Sequence, residues 1–520
     1  MPTETTVSLW RDRASRTAMS DRTALYDRTE LYDDWTARRE RYDVVVVGAG
    51  ITGTVTALLL AEQGLRVAVV EARDIGAVTT GNTTGKVSVL QGTRLSQIGR
   101  RHSGAIRQGY VDGTLAAQRW VVDFCTRHGL DFDRADAYTY AQDPSNVSMI
   151  DAEYHHCRAA GLPAERVGEI PLPFGVAAAV TIPDQVQVDP MPILFTAVDR
   201  ARTVGAEVFV GRRVKTVDTE DAGCIVRTDD GDIRADRVVL ATGIPILDRG
   251  AFFARLEPDR SYSIAVEVPG GPPEGMFLSA DSPTRSLRTA SAVGTSSSAD
   301  RLLLVGGNGH VVGRHDSTRS AYDDLLRWTQ RTFPGAHELY RWSAQDYTNM
   351  DSLPEVGPVL PGADRIWVAT GFGKWGMTGG VAAAHIIASR FSESPDPEVE
   401  SWAPAMAAWR TELVTGTPTA AKLNATVALH MAKGWLQAAT SSGSEPEEGQ
   451  GRVVRSCGRP VGVSTVDGRT HRVSAVCPHL GGILRWNDAE SSWDCPLHGS
   501  RFAADGALLE GPATGNLSPR

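Results

Sequence analysis

Two short turns near the C-terminus hold the residues with the most specific chemistry. Cys477-Pro478-His479-Leu480-Gly481-Gly482 offers one thiol and one imidazole, and Cys495-Pro496-Leu497-His498-Gly499-Ser500 offers a second pair. Two thiolates on one iron and two imidazoles on the other can hold a [2Fe–2S] cluster. A tetrahedral zinc site of Cys2His2 composition would use the same four donors. The distribution of donors counts against zinc, because zinc fingers usually put both cysteines in one half and both histidines in the other. Fifteen residues lie between His479 and Cys495, enough for a hairpin to bring the turns together. The candidate metal ligands are therefore Cys477, His479, Cys495 and His498.

A second site is written near the other end. Tyr42-Asp-Val-Val-Val-Val47 is an apolar, β-branched run of the kind that forms a buried parallel strand. It passes into Gly48-Ala-Gly50-Ile-Thr-Gly53, then a helix from Thr54 to Gln63 stopped by Gly64, then a strand from Leu65 to Val70 closing on Glu71. In that context G-x-G-x-x-G is a dinucleotide signature. Gly48 and Gly50 let the backbone approach a pyrophosphate, Gly53 lets the helix pack close, and Glu71 can accept from ribose hydroxyls. Two further strands end in small-residue turns, Arg237 to Ala241-Thr242-Gly243 and Arg365 to Gly371. After the second come Phe372-Gly373-Lys374-Trp-Gly-Met377-Thr378 and a helix over 379–390, whose N-terminus can face another anionic group.

The elements that must position these sites fit a chain of 520 residues with 42% hydrophobic content, long enough for two or three domains. A net charge of −9 without a Lys/Arg block argues against nucleic acid or an anionic membrane as partner. No apolar run reaches membrane-spanning length, and the first residues lack the apolar core of a signal peptide. Cys125, Cys157, Cys224 and Cys457 show no framework spacing, so the expected compartment is a reducing cytoplasm.

Residues 42–390 resemble the D-amino-acid oxidase/glycine oxidase superfamily of FAD-dependent oxidoreductases. The resemblance rests on Gly48–Glu71, the loop Thr80-Gly-Asn82-Thr83-Thr84-Gly85, Ala241-Thr242-Gly243, Asp351-x-x-Pro354-x-x-Gly357 and the turn Gly371–Thr378. The Pro after each cluster cysteine and the Gly after each histidine-bearing turn resemble the Rieske signature. With residues 452–520 added, the chain is similar to bacterial FAD oxidoreductases carrying a C-terminal Rieske domain. The implied fold is an α/β Rossmann-like FAD-binding domain with an α+β substrate domain, followed by a small all-β Rieske domain. Its expected parts are an N-terminal surface arm (1–40), the FAD and substrate unit (41–400, substrate part about 138–200 and 255–345), a helical connector (401–440), a linker (441–451) and the Rieske domain (452–520). Strands are expected over Ser261–Val268 and Arg301–Val305.

The resemblance implies that Gly48, Gly50 and Gly53 hold the FAD pyrophosphate and Glu71 its ribose. It puts Val214 by the adenine, Asn82, Thr83 and Thr84 beside the flavin, and Ala241, Thr242 and Gly243 in the cofactor turn. Gly371, Gly373, Lys374, Met377 and Thr378 would lie by the isoalloxazine. Amino-acid-oxidising members often place a carboxylate-clamping arginine five residues before the aspartate matching Asp351; here that residue is Asp346, which could instead pair with a cationic amine. Arg260, Arg285 and Arg288 are the other possible clamps. His and Cys, which attach flavin covalently in some relatives, are missing from 76–92 and 345–357, so noncovalent FAD is expected. Lys374 near the ring is a catalytic candidate, and Tyr262 and His310 are expected to project toward the flavin if their strands run as read.

In the Rieske part, respiratory members carry an extra, disulfide-bonded cysteine in each ligand loop; the matching residues here are Gly482 and Leu497. Ser500 matches a serine that bonds a cluster sulfur, and Phe502 replaces a tyrosine, which implies a lowered potential. Two functions follow. In one, the flavin oxidises a C–N or C–H bond of a small amine or amino-acid-like substrate and electrons leave through the cluster to an external one-electron acceptor. In the other, an external reductase or ferredoxin-like donor charges the cluster and the flavin, and the protein relays electrons or performs a reductive step.

Overall fold

The computed structural model describes residues 6–20, 32–295, 297, 299–410, 417–441 and 443–520. The dinucleotide motif sits on an eight-stranded sheet. Its path runs Glu355–Pro358, Ile366–Thr370, Gly231–Leu240, Arg41–Val47, Val67–Val70, Glu207–Phe209, with Val214–Glu220 and Gly223–Thr228 completing it beside Gly231–Leu240. Arg41–Val47 pairs in parallel on both sides, and Val44 to Val47 are at most 4 % exposed. That is why this strand reads as an unbroken apolar run rather than an alternating one. The helices Ile51–Glu62 and Gly376–Phe391 cover the sheet, both with mostly buried residues.

A nine-stranded sheet stands over the carboxyl ends of those parallel strands. Its path is His337–Asn349, Leu256–Glu267, Arg301–Val311, Arg285–Ser291, Met276–Ser279, Phe132–Ala141, Ala178–Val188, Lys86–Val87, with Glu165–Val167 on its flank. The strand expected at 301–305 lies within it, and the one expected at 261–268 does so as far as Glu267. The C-terminal domain is all-β, a three-stranded sheet (Gly451–Ser456, Arg459–Val466, Arg469–Ser474) and a four-stranded one (Arg485–Asn487, Ser492–Asp494, Arg501–Ala503, Leu508–Glu510).

Two expectations need correction or restriction. The N-terminal segment is not merely a surface arm: its described part forms a helix, Leu9–Ser20, with Leu9 and Trp10 buried in the core. Two large apolar side chains in an otherwise charged stretch were its only sequence signal. The expected connector is helical over Pro397–Trp402 and Thr417–Thr440, while 411–416 lies outside the described residues. Among the described residues no helix is long and apolar enough to cross a membrane.

Candidate functional site

A cavity of about 480 Å³ runs between the two large sheets. At one end Gly48 and Gly50 line it at the mouth of the helix Ile51–Glu62. Gly48 has φ +107°, and a Cβ on it would stand 2.5 Å from Ala241 O. A Cβ on Gly53 would be 1.9 Å from Gly48 O, so the helix rests directly on the phosphate-facing turn. The Glu71 carboxylate accepts from Ala49 N and Arg73 N, each at 2.8 Å, and is raised in pKa by burial. Val214, Ala241, Thr242 and Gly243 continue this wall. A backbone cradle closed to a Cβ at Gly48 and Gly53, ending at the half-buried Glu71 carboxylate, fits the pyrophosphate and ribose of a dinucleotide.

At the other end the loop Asn82-Thr83-Thr84 lines the cavity and is held by two indoles. Trp10 Nε1 donates to Thr83 O at 2.6 Å and Trp342 Nε1 to Asn82 O at 2.8 Å. Lys374 and Met377 face this end. Lys374 has φ +75°, a strained value for a side-chain-bearing residue. Asp346 Oδ2 takes the Lys374 N–H at 2.6 Å and Asp346 Oδ1 that of Tyr347 at 2.8 Å. Asp346 therefore lines the cavity with both oxygens already accepting from the backbone, and burial raises its pKa. Lys374 Nζ lies 3.8 Å from Asp259 Oδ2.

Other expected residues stand one layer back. Gly371 and Gly373 pack on Asn349 and Arg94, and Thr378 accepts from Gln91 Nε2 at 3.2 Å, so none of the three lines the cavity. His310, expected to project toward the flavin, also does not line it. Its Nδ1–H donates to Val311 O at 2.9 Å and its Nε2 accepts from the Tyr262 hydroxyl at 2.8 Å, which ties the Tyr262 phenol to it. Nor does any of the three arginines considered as clamps line the cavity. Arg260 pairs with Glu490 and Glu510, Arg285 with Asp324 and Asn308, and Arg288 donates to the carbonyls of Thr84, Gly85, Val188 and Thr289.

The four candidate metal ligands come together. Each turn closes on its cysteine: Cys477 N donates to Gly482 O at 2.8 Å and Cys495 N to Ser500 O at 2.8 Å. The imidazoles of His479 and His498 stand 5.1 Å apart, centre to centre. His498 Nδ1 is buried with no partner in the protein, as a nitrogen kept for a metal would be. The Cys477 thiol is lowered in pKa, chiefly because the Cys495 thiol bonds to it, with the N–H groups of His479 and Leu480 and the Ser500 hydroxyl adding. The same bond, with burial adding, pushes the Cys495 thiol well above its ordinary value, so thiolate is favoured at Cys477 alone of the two. The Leu497 side chain would sit 2.6 Å from a Cβ on Gly482, so an apolar contact occupies the place of the respiratory disulfide. Among the described residues no three His, Cys, Asp or Glu groups converge on a single-ion site, while donors split two and two suit a pair of irons.

The two sites meet. Thr79 Oγ1, on the cavity wall, donates to Gln345 O at 2.6 Å, and Gln345 Nε2 donates to Gly499 O at 2.7 Å, the residue after His498. Leu509, Glu510 and Gly511 of the C-terminal domain themselves line the cavity. Phe253 packs edge-on against the imidazoles of both candidate ligands, His479 and His498, at 5.6 and 5.1 Å, and Asp248 accepts from His479 Nε2 at 2.8 Å. None of Phe253, Asp248 or Gln345 carries a motif, and only the fold brings them here.

A family model described as FAD dependent oxidoreductase (DAO) matches residues 43–390, and one described as Rieske [2Fe-2S] domain matches 434–519. The chain belongs to the DAO family of FAD-dependent oxidoreductases. It carries a Rieske [2Fe-2S] domain at its C-terminal end, and its cofactors are FAD and that cluster. It is 30% identical over 475 residues to the putative Rieske 2Fe-2S iron-sulfur protein YhfW of Bacillus subtilis (strain 168), covering 91% of this chain and 92% of the relative. Its fold is similar to that of glycine oxidase from Geobacillus kaustophilus, at TM-score 0.57 and 20% identity, covering 72% of this chain and 99% of that one. L-proline dehydrogenase from P. horikoshii aligns at TM-score 0.58 and 18% identity, covering 69% and 96%. Bound in the cavity, FAD would supply two-electron and one-electron redox chemistry, and the residues lining it would hold the cofactor, shape the space beside it and exclude water.

Proposed function

We propose that this protein is a dehydrogenase that oxidises the C–N or adjacent C–H bond of a small amine or amino-acid-like substrate. Electrons pass from the FAD to the Rieske cluster of the same chain and on to an external one-electron acceptor. The observation that carries the reading is the wall shared by the two sites: Gln345 bridges Thr79 of the cavity and Gly499 of the cluster turn. An outlet for single electrons built against a flavin gives reason for joining the domains, since flavin converts two-electron into one-electron chemistry. The fold relatives are named for glycine and L-proline, both small molecules with an oxidisable C–N bond, and that supports the substrate class. Outside the cluster turns, Cys125, Cys157, Cys224 and Cys457 form no disulfide, which supports a reducing compartment such as the cytoplasm.

The test is anaerobic mixing of the holoenzyme with a panel of amines and amino acids, following flavin absorbance and low-temperature EPR. Bleaching of the flavin followed by a reduced Rieske signal is expected. If no amine bleaches the flavin, yet a reduced ferredoxin or reductase fills the cluster and then the flavin, electron flow runs inward and the dehydrogenase reading fails.

A further inference from the structure

Lys86 is a buried amine that neither cofactor site uses. It opens the short strand Lys86–Val87, which pairs antiparallel with Ala178–Val188, and is 8 % exposed. Its Nζ donates to Phe277 O at 2.8 Å and to Ser286 Oγ at 2.9 Å. Neither partner is a carboxylate. A neutral amine has two N–H groups and one lone pair, so those two bonds use both donors and leave one tetrahedral position free. Lys86 lines the cavity beside Leu278, Thr284, Ser286 and Asn308, apart from the glycine cradle.

The charges around Lys86 disfavour an ammonium. Arg288, on the strand Arg285–Ser291, is the charge that acts on it directly. Across the cavity stand Asp259, Asp346 and Lys374; Asp346 is spent on backbone N–H groups and Asp259 faces Lys374. Burial, with Arg288 adding, lowers the Lys86 pKa to about 7. Residue choice points the same way. Only five of the chain's 53 basic residues are lysine, and one of the five stands here. Arginine cannot release its proton near neutral pH, whereas a buried lysine can.

We propose that Lys86 is the proton acceptor of the substrate compartment, taking a proton from the ammonium group of an amine substrate through its neutral Nζ. One N–H bond of the substrate breaks and one forms on Nζ. No electrons change hands, and the substrate is left as the free amine, with the lone pair that C–H oxidation next to nitrogen requires. The proton returns to solvent after product leaves. This assignment rests on the amine reading above and adds to it that the substrate arrives protonated.

Two measurements on the holoenzyme test it. The first is NMR of protein labelled with 13C at the lysine ε-carbons, without substrate. One of five signals, missing in Lys86→Arg, is expected to titrate near 7, against about 10.4 for ordinary lysines. The second is anaerobic flavin reduction by an amine from the panel, from acid to alkaline pH. Wild type is expected to gain rate through that same pH. Lys86→Met and Lys86→Arg, with flavin content checked, should slow by about 10²-fold and lose the step. A Lys86 signal titrating with the other four overturns the proposal, as does an unchanged pH profile in Lys86→Met. If the signal titrates near 7 and no amine bleaches the flavin, the substrate reading falls and takes the proton transfer with it.

Discussion

The two cofactor sites and the seam between them are built in contrasting ways. The FAD cradle and the cluster turns each begin from a compact run of sequence, Gly48–Glu71 in one case and Cys477–Gly482 with Cys495–Ser500 in the other. The seam has no such run. Arg260 of the substrate sheet and Arg501 of the Rieske domain are buried among Glu490, Glu510 and Asp494, and Ser343 bonds Glu490. Asp488 reaches across to accept from the N–H groups of Thr318 and Arg319 at 2.7 and 3.0 Å, capping the helix Arg319–Thr332 from another domain. Sites that bind a fixed cofactor repeat a fixed pattern; a contact between domains needs only complementary charge, and any pair of positions can supply it.

If the sites are separate units, each can be emptied alone. Cys477→Ser is expected to abolish the Rieske EPR signal and turnover with one-electron acceptors, while FAD content and substrate-driven bleaching persist. Gly53→Ala, whose Cβ must displace Gly48 O, should do the reverse, yielding protein with a cluster and little FAD. Loss of both cofactors in either variant would break the comparison.

The seam should respond differently, by uncoupling sites that stay filled. Arg260→Ala leaves Glu490 and Glu510 buried with one cation fewer, a loss of about 3–5 kcal/mol for a broken buried pair, read as a lower Tm and slower flavin-to-cluster transfer. The same seam is acid-sensitive. Burial works to raise the Glu490 pKa, but Arg260 and Arg501 outweigh it and hold it at about 2. A carboxyl depressed on folding stabilises above its ordinary value near 4.3, and that contribution is lost as pH falls toward 2. Melting followed from pH 6 to pH 2.5 should therefore show wild type losing more stability than Arg260→Ala. Asp488→Ala removes a helix cap and should cost about 1 kcal/mol, and Gln345→Ala removes two buried hydrogen bonds, to Gly499 O and the Tyr347 hydroxyl, at about 1 kcal/mol each. Of these two, only Gln345→Ala should slow electron transfer measurably, since only Gln345 touches both the cavity wall and the cluster turn.

What was legible in the sequence follows the same division. The parallel strand Arg41–Val47 could be read because its residues are buried on both faces, and local spacing is what brings Gly48, Gly50 and Glu71 to one cavity end and the four candidate cluster donors together. Asp346 was read as a group facing substrate, but two backbone N–H groups take its oxygens, a fact set by the left-handed turn at Lys374. The strand expected over Arg301–Val305 runs on to Val311 and carries His310, but off the cavity wall. Asn308 has φ +52° and the pairing with Leu256–Glu267 shifts register nearby, so strand alternation does not carry through. Trp10 and Lys86 carry no such signal, because nothing local marks a lone tryptophan in a charged helix as the support of the Thr83 loop, or a lysine after a threonine loop as a cavity residue.

The central claim, that electrons cross the seam within one chain, is tested most directly by rapid-freeze EPR after anaerobic reduction of the flavin, repeated over a wide range of protein concentration. The account predicts a Rieske signal that grows with one first-order rate constant at every concentration. A rate that rises in proportion to protein concentration would contradict it.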